Sequence, residues 1–170
     1  VKGLGWEDVC GDLLDRCEQL GLLAWHRFSV PVKQLGKRGP GGRFVAVYAA
    51  KAPPDLLIVL RGTFGQAILA DWKDCASPPW SLSAIPAHQA NAFEAMVKAG
   101  GRGLVLLRVH QGTAGPPVML ALDWSRIRVR YRDWATGKCS GSLTLVEART
   151  LGREFRGYVD LCNALEQPHD

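Results

Sequence analysis

Pro54-Asp55-Leu56-Leu57-Ile58-Val59-Leu60, then Arg61-Gly62-Thr63-Phe64-Gly65, then Gln66-Ala67-Ile68-Leu69-Ala70-Asp71-Trp72-Lys73, is the stretch on which the reading of this chain turns. Pro53-Pro54 stops whatever precedes it, and the apolar run after Asp55 reads as a buried strand. Segment 61–65, with its two glycines, is a turn, and a second strand resumes after it. Side chains alternate along a strand, so Asp71 and Lys73 share one face while Trp72 takes the other. Asp55 starts one hairpin arm and Asp71 stands near the end of the other. Antiparallel pairing therefore brings the two carboxylates together.

Facing carboxylates repel unless a cation compensates them, so their convergence points to a divalent metal. Magnesium prefers oxygen ligands, retains water, and can hold a scissile phosphate while lowering the pKa of the attacking water. Lys73 beside it would orient that water or neutralise charge growing on the phosphorus. A D-x-K tripeptide by itself is an ordinary surface hairpin. The Pro-Asp pair and the flanking segments set this one apart.

Segment 2–7 opens an amphipathic helix whose apolar positions Trp6, Val9, Cys10, Leu13, Leu14, Cys17 and Leu20 follow helical spacing, with Gly21 as its stop. Glu7 lies at the edge of that face, where the helix dipole alone also favours a carboxylate. Residues 86–98 read as a second helix, with Pro86 in its first turn and Gly100-Gly101 at its end. Gln89 falls on the face of Phe93, Met96 and Val97, where a glutamine needs a buried partner or lines a site. Between two strands, Lys33, Lys37, Arg38 and Arg43 are strewn among glycines without apolar periodicity, which makes a basic loop or stalk at about 31–43. In Arg126-Ile127-Arg128-Val129-Arg130-Tyr131-Arg132 the cations alternate with apolar residues, and a strand with one phosphate-tracking basic face is the preferred reading.

The hairpin resembles the PD-(D/E)xK nuclease superfamily, with Asp71 standing where many members have glutamate. Lys2-Gly3 followed by the helical Glu7 is similar to the corresponding element of Holliday junction resolvases of the archaeal Hjc and bacterial RecU type. Ser81-Leu82-Ser83 with His88-Gln89 resembles the serine/leucine and HQ element that RecU-like resolvases carry after the catalytic hairpin. Trp25 to Lys33 is similar to the lead-in to their protruding stalk, and Tyr158 to Glu166 to their last helix.

The resemblance implies an α/β fold of the restriction-endonuclease-like kind, a mixed central β-sheet flanked by helices. It implies Glu7, Asp55 and Asp71 as metal ligands, with Lys73 positioning the nucleophilic water and Gln89 beside the metal centre. Mg2+ is the implied cofactor, with Mn2+ able to substitute, and hydrolysis would leave a 5′-phosphate and a 3′-hydroxyl. The implied substrate is a four-way DNA junction, whose paired strands suit a two-fold homodimer. Lys33, Lys37, Arg38, Arg43, Arg126, Arg128, Arg130 and Arg132 are the candidate DNA contacts. The resemblance also allows a short helix at 125–132 opened by Asp123. Rival readings are a restriction- or repair-type endonuclease of the same fold, a DNA-binding module that has lost the chemistry, and a scaffold with accidental motifs.

Composition fits this outline. The 170 residues, 47% hydrophobic and 22% charged, suit one domain over 1–170 with a sizeable core. A net charge of +5 and a pI near 9.1 suit a polyanionic partner. Five cysteines without a C-x-x-C pair argue against a disulfide framework and against structural zinc, and place Cys10 and Cys17 in the first helix's buried stripe. No signal peptide or membrane-length apolar stretch is recognisable. Gly100-Gly101-Arg102-Gly103 follows a helix and precedes a strand, the wrong order for a phosphate loop. The expectation is a cytoplasmic enzyme with neither membrane partner nor nucleotide cofactor, small enough to suit a phage.

Overall fold

The computed structural model describes residues 5–28, 54–61 and 66–166, and the backbone of 32–35 and 45–48. Helix α1 (Trp6–Gln19) is followed by strands β1 (Leu23–Arg27), β2 (Val32–Leu35), β3 (Val45–Tyr48), β4 (Leu56–Leu60), β5 (Ala67–Cys75) and β6 (Trp80–Ser81). Then come α2 (Ala87–Lys98), β7 (Arg102–Val109), β8 (Val118–Asp123), α3 (Trp124–Ala135), β9 (Ser142–Leu143), α4 (Leu145–Leu151), β10 (Gly152–Phe155) and α5 (Tyr158–Glu166). Among the described residues a six-stranded sheet runs in the order β1-β4-β5-β7-β8-β10. It is mixed: β5 and β7 are parallel, and the other neighbours are antiparallel. α1 and α5 pack on one face, α2, α3 and α4 on the other. This is the expected α/β arrangement of a central mixed sheet flanked by helices.

Sequence pattern accounts for the layers. Trp6, Cys10, Leu14 and Cys17 form the buried stripe of α1, Val9 and Leu13 are half-buried, and Leu20 is left exposed just past the helix end. Gly21 at φ 72 ends the helix in the left-handed region, where glycine meets no Cβ penalty. In β4, Leu56, Ile58 and Leu60 turn to the α1 side. In β5, Ile68, Ala70 and Trp72 do the same, which turns Asp71 and Lys73 toward α2. Parallel strands need a crossover, and α2 supplies it between β5 and β7. β7 lies mid-sheet and is buried on both faces from Arg102 to Leu107. Its Arg102 is neutralised inside the protein by Asp123, Nε to Oδ2 3.0 Å, and also donates to the Leu165 carbonyl.

Several expectations need correction. Residues 126–132 are helical, not extended, because Asp123 caps α3 through Ser125 N (2.9 Å) and Trp124, Ile127 and Tyr131 recur at helical spacing on the buried side. Val129, apolar in the alternating reading, is 54% exposed. Between α3 and α5 lie β9, α4 and β10, where no element was expected. Their signal was a capping box in which Thr144 and Glu147 bond reciprocally. Against the expectation drawn from the cysteine pattern, Cys17 and Cys162 form a disulfide tying α1 to α5, while Cys10, Cys75 and Cys139 are free. β2 and β3 pair as an antiparallel ribbon on either side of the basic segment. Lys33 lies on β2, whereas Lys37, Arg38 and Arg43 lie outside the described residues. No helix among the described residues is long and apolar enough to cross a membrane.

Candidate active site

The β4–β5 register pairs Leu56 with Ala70, so one step further along the ladder sets Asp55 opposite Asp71. Residues directly opposite in an antiparallel pair point to the same face. Asp55 is held from both sides: its carbonyl accepts from Phe28 N at 2.8 Å, and its Oδ2 accepts from Trp72 N at 3.2 Å. The carboxylate thus occupies the place on β5 where β4 has ended. That fixes its position against Asp71 without a further strand.

Asp71 is fully buried. Gln89, from the first turn of α2, donates Nε2 to Asp71 Oδ1 at 2.9 Å and accepts from Lys73 Nζ at 3.1 Å. Lys73 Nζ also lies 2.5 Å from Asp71 Oδ2, yet that oxygen has no hydrogen-bond partner of correct geometry. The contact is a charge pair inside the buried site. Burial raises the Asp71 carboxyl from 3.8 to about 7; Lys73 opposes the rise and the Asp55 charge adds to it. Two carboxylates side by side are hard oxygen donors that suit a divalent cation able to keep part of its water. Asp55 and Asp71 therefore fit the magnesium expected from the sequence.

The structure brings together Asp55, Asp71, Lys73 and Gln89. It does not bring Glu7 to them. Glu7 starts α1, on the opposite side of the sheet from α2, and its half-exposed carboxylate is ion-paired with Arg27. No group of three or more His, Cys, Asp or Glu residues suited to a metal gathers among the described residues. The arginines of α3 also divide. Arg130 bonds Glu147 of α4 at 2.7 Å and the Ser142 carbonyl at 2.9 Å, and Arg126 reaches the Thr150 carbonyl at 3.4 Å. One continuous basic face, expected of a strand, does not exist.

The sequence reading missed the residues on the reverse side of the site. Arg27 lies with its guanidinium 5.1 Å from the Trp72 ring centroid. Asp74 accepts from Arg108 Nε and pairs with His110 Nε2, each at 3.0 Å, and the Arg108 hydrogen bond holds its carboxyl below the usual range. A cavity of about 280 Å³ lined by Gly5, Trp6, Glu7, Asp8, Trp72 and Asp74 opens beside them. Only the parallel pairing of β5 with β7, which sets Asp74 against Arg108, assembles this group. No local pattern in the sequence announces it.

No family model matches this chain, and no curated protein matches it. Among solved structures, the 1.6 Å structure of Hjc, a Holliday junction resolvase from the archaeal hyperthermophile Archaeoglobus fulgidus, aligns with 87% of this chain and 94% of its own. The identity is 13% and the TM-score 0.47. A likeness of that size assigns this chain no activity.

Proposed function

We propose that the chain is a metal-dependent endodeoxyribonuclease selective for branched DNA, with the four-way junction as its substrate. The observation that carries the reading is the convergence of Asp55, Asp71 and Lys73 on one face of the sheet, with Gln89 bridging Asp71 to Lys73. Asp55 and Asp71 would hold magnesium, or manganese in its place. Glu7 would join them only by leaving Arg27. When bound, such a cation neutralises phosphate charge and lowers the pKa of an attacking water.

Lys73 carries its ammonium at the rim of the buried site, 17% exposed, where it can orient that water and meet charge developing on the phosphate. Gln89 uses both ends of its amide and so holds Lys73 and Asp71 in position. Hydrolysis by this set would leave a 5′-phosphate and a 3′-hydroxyl. The β2–β3 ribbon brackets the basic segment and would be the element that engages DNA. Two equivalent strands in a four-way junction call for two sites, hence a two-fold dimer. Selectivity would rest on branch shape and backbone charge rather than on base edges.

The test compares an immobile four-way junction with linear duplexes of mixed sequence, with magnesium and with chelator. Magnesium-dependent paired nicks confined to the junction are the expected result. Asp71→Asn should lower nicking by at least about 100-fold while junction binding in calcium persists, in line with losses from disturbed metal sites. Equal cutting of junction and duplex would leave a restriction- or repair-type nuclease. Binding without any cutting by the parent chain would leave a DNA-binding module, and an Asp71→Asn variant that cuts at the parent rate would remove Asp71 from the site.

A further inference from the structure

We propose that one flank of α3, carrying Arg128 and Arg132, is a phosphate-binding strip for a DNA strand passing the catalytic face, and that Arg126 and Arg130 serve the fold instead. The inference deepens the nuclease reading and rests on it for the identity of the polyanion.

Successive residues of a helix are turned by about 100°. Trp124, Ile127 and Tyr131 are buried and define the inner side of α3. Arg126 and Arg130 share one flank, and their bonds to Thr150 and Glu147 show that this flank faces α4. Arg128 and Arg132 share the other. That flank faces α2, because Trp124 donates Nε1 to Glu94 at 2.9 Å and packs on Phe93 at 5.3 Å between ring centroids.

Tyr131 donates its hydroxyl to the Ile85 carbonyl at 3.1 Å, just before the start of α2, while Trp124 meets Glu94 further along it. The two helices therefore run antiparallel, and the end of α3 bearing Arg132 stands beside the turn of α2 that presents Gln89 to Asp71. α2 and α3 touch through Trp124 and cover the same face of the sheet, so the strip is one helix removed from the site, in the same layer.

Neither Arg128 nor Arg132 makes a side-chain hydrogen bond or ion pair among the described residues, whereas Arg126 and Arg130 do. The acidic groups nearby do not neutralise them. Glu94 keeps its charge but accepts from Trp124 and makes no ion pair with either arginine among the described residues, and Asp133 is turned about 100° round the helix from Arg132. Two unpaired guanidiniums one turn apart make a short cationic rail. Its complement is a chain of phosphates, and each contact releases bound counterions from DNA.

The experiment measures binding of linear duplex and immobile junction in calcium over a salt series, using the full chain. Arg128→Gln with Arg132→Gln should make the slope of log affinity against log salt shallower by roughly 2, since each phosphate contact contributes about 0.9. Its melting temperature should match the parent's. Arg126→Gln with Arg130→Gln should lower the melting temperature and leave the slope unchanged. Arg128→Lys with Arg132→Lys should keep the parent slope.

An unchanged slope for the first pair overturns the strip, as does an equal change for both pairs. A parent chain that binds neither DNA in a salt-dependent way overturns the strip and the nuclease reading together. If the slopes behave as expected but magnesium produces no nicks, the nuclease reading falls and the strip stands.

Discussion

With its side chain wholly buried and Asp55 opposite, the Asp71 carboxyl titrates at about 7 against 3.8 for an ordinary aspartate. The native state then holds more protons than the unfolded state between those two values, so stability falls as pH rises through that window. Below 3.8 both states are protonated and there is no penalty; above about 7 it is complete, a few kcal/mol at most. In chelator, the parent's urea midpoint should therefore decline from pH 4 to pH 8, and Asp71→Asn should flatten that decline. Parallel profiles would mean that Asp71 is ionised throughout. A cation displacing the proton would reverse the trend, so added magnesium should stabilise the parent most at the alkaline end. At this scale the alternation of Asp71, Trp72 and Lys73 was legible, because strand geometry is local. The Asp71 pKa was not, since it depends on burial by α2 and on what stands across the ladder.

Elements are coupled where helices press on the sheet, and Gly103 marks one close approach of two helices to β7. A Cβ there would lie 2.9 Å from the Cβ atoms of both Phe93 in α2 and Trp124 in α3. Gly103→Ala should push both helices outward and cost about 1–3 kcal/mol, read as a lower melting temperature. Because α2 carries Gln89, the variant should also lose magnesium-dependent nicking at temperatures where it remains folded. Full activity in such a folded variant would show that the site does not depend on the seating of α2. The sequence placed α1, α2, the hairpin and the strands near 104–110 and 118–122 because each has a local period and recognisable stops. It misassigned α3 because arginines alternating with Ile127, Val129 and Tyr131 satisfy a strand, while Trp124, Ile127 and Tyr131 satisfy a helix. The Asp123 cap and a buried side against β7 and β8 decided between them.

Across the whole molecule, the Cys17–Cys162 bridge closes the chain over a separation of 145 residues and joins the first helix to the last. In the chain-entropy account a loop of that length stabilises by about 5 kcal/mol, and measured losses on removal of native bridges are commonly about 2–5 kcal/mol. Reductant, or Cys17→Ala with Cys162→Ala, should lower the denaturation midpoint accordingly, while Cys139→Ser should not. Identical midpoints with and without reductant would show that the bridge does not form in solution.

By itself the sequence determined the hairpin, the pairing of Asp55 with Asp71 and the side on which Lys73 lies, since all three follow from strand alternation and one short connection, while the mixed α/β plan followed from the resemblance its motifs carry. Only the tertiary structure decided that Gln89 bridges Asp71 to Lys73, that Glu7 lies across the sheet with Arg27, that α3 splits its arginines between two flanks and that Cys17 meets Cys162. Those outcomes depend on which face of the sheet each helix covers. That choice is fixed by burial shared among segments far apart in the chain, and no local period records it.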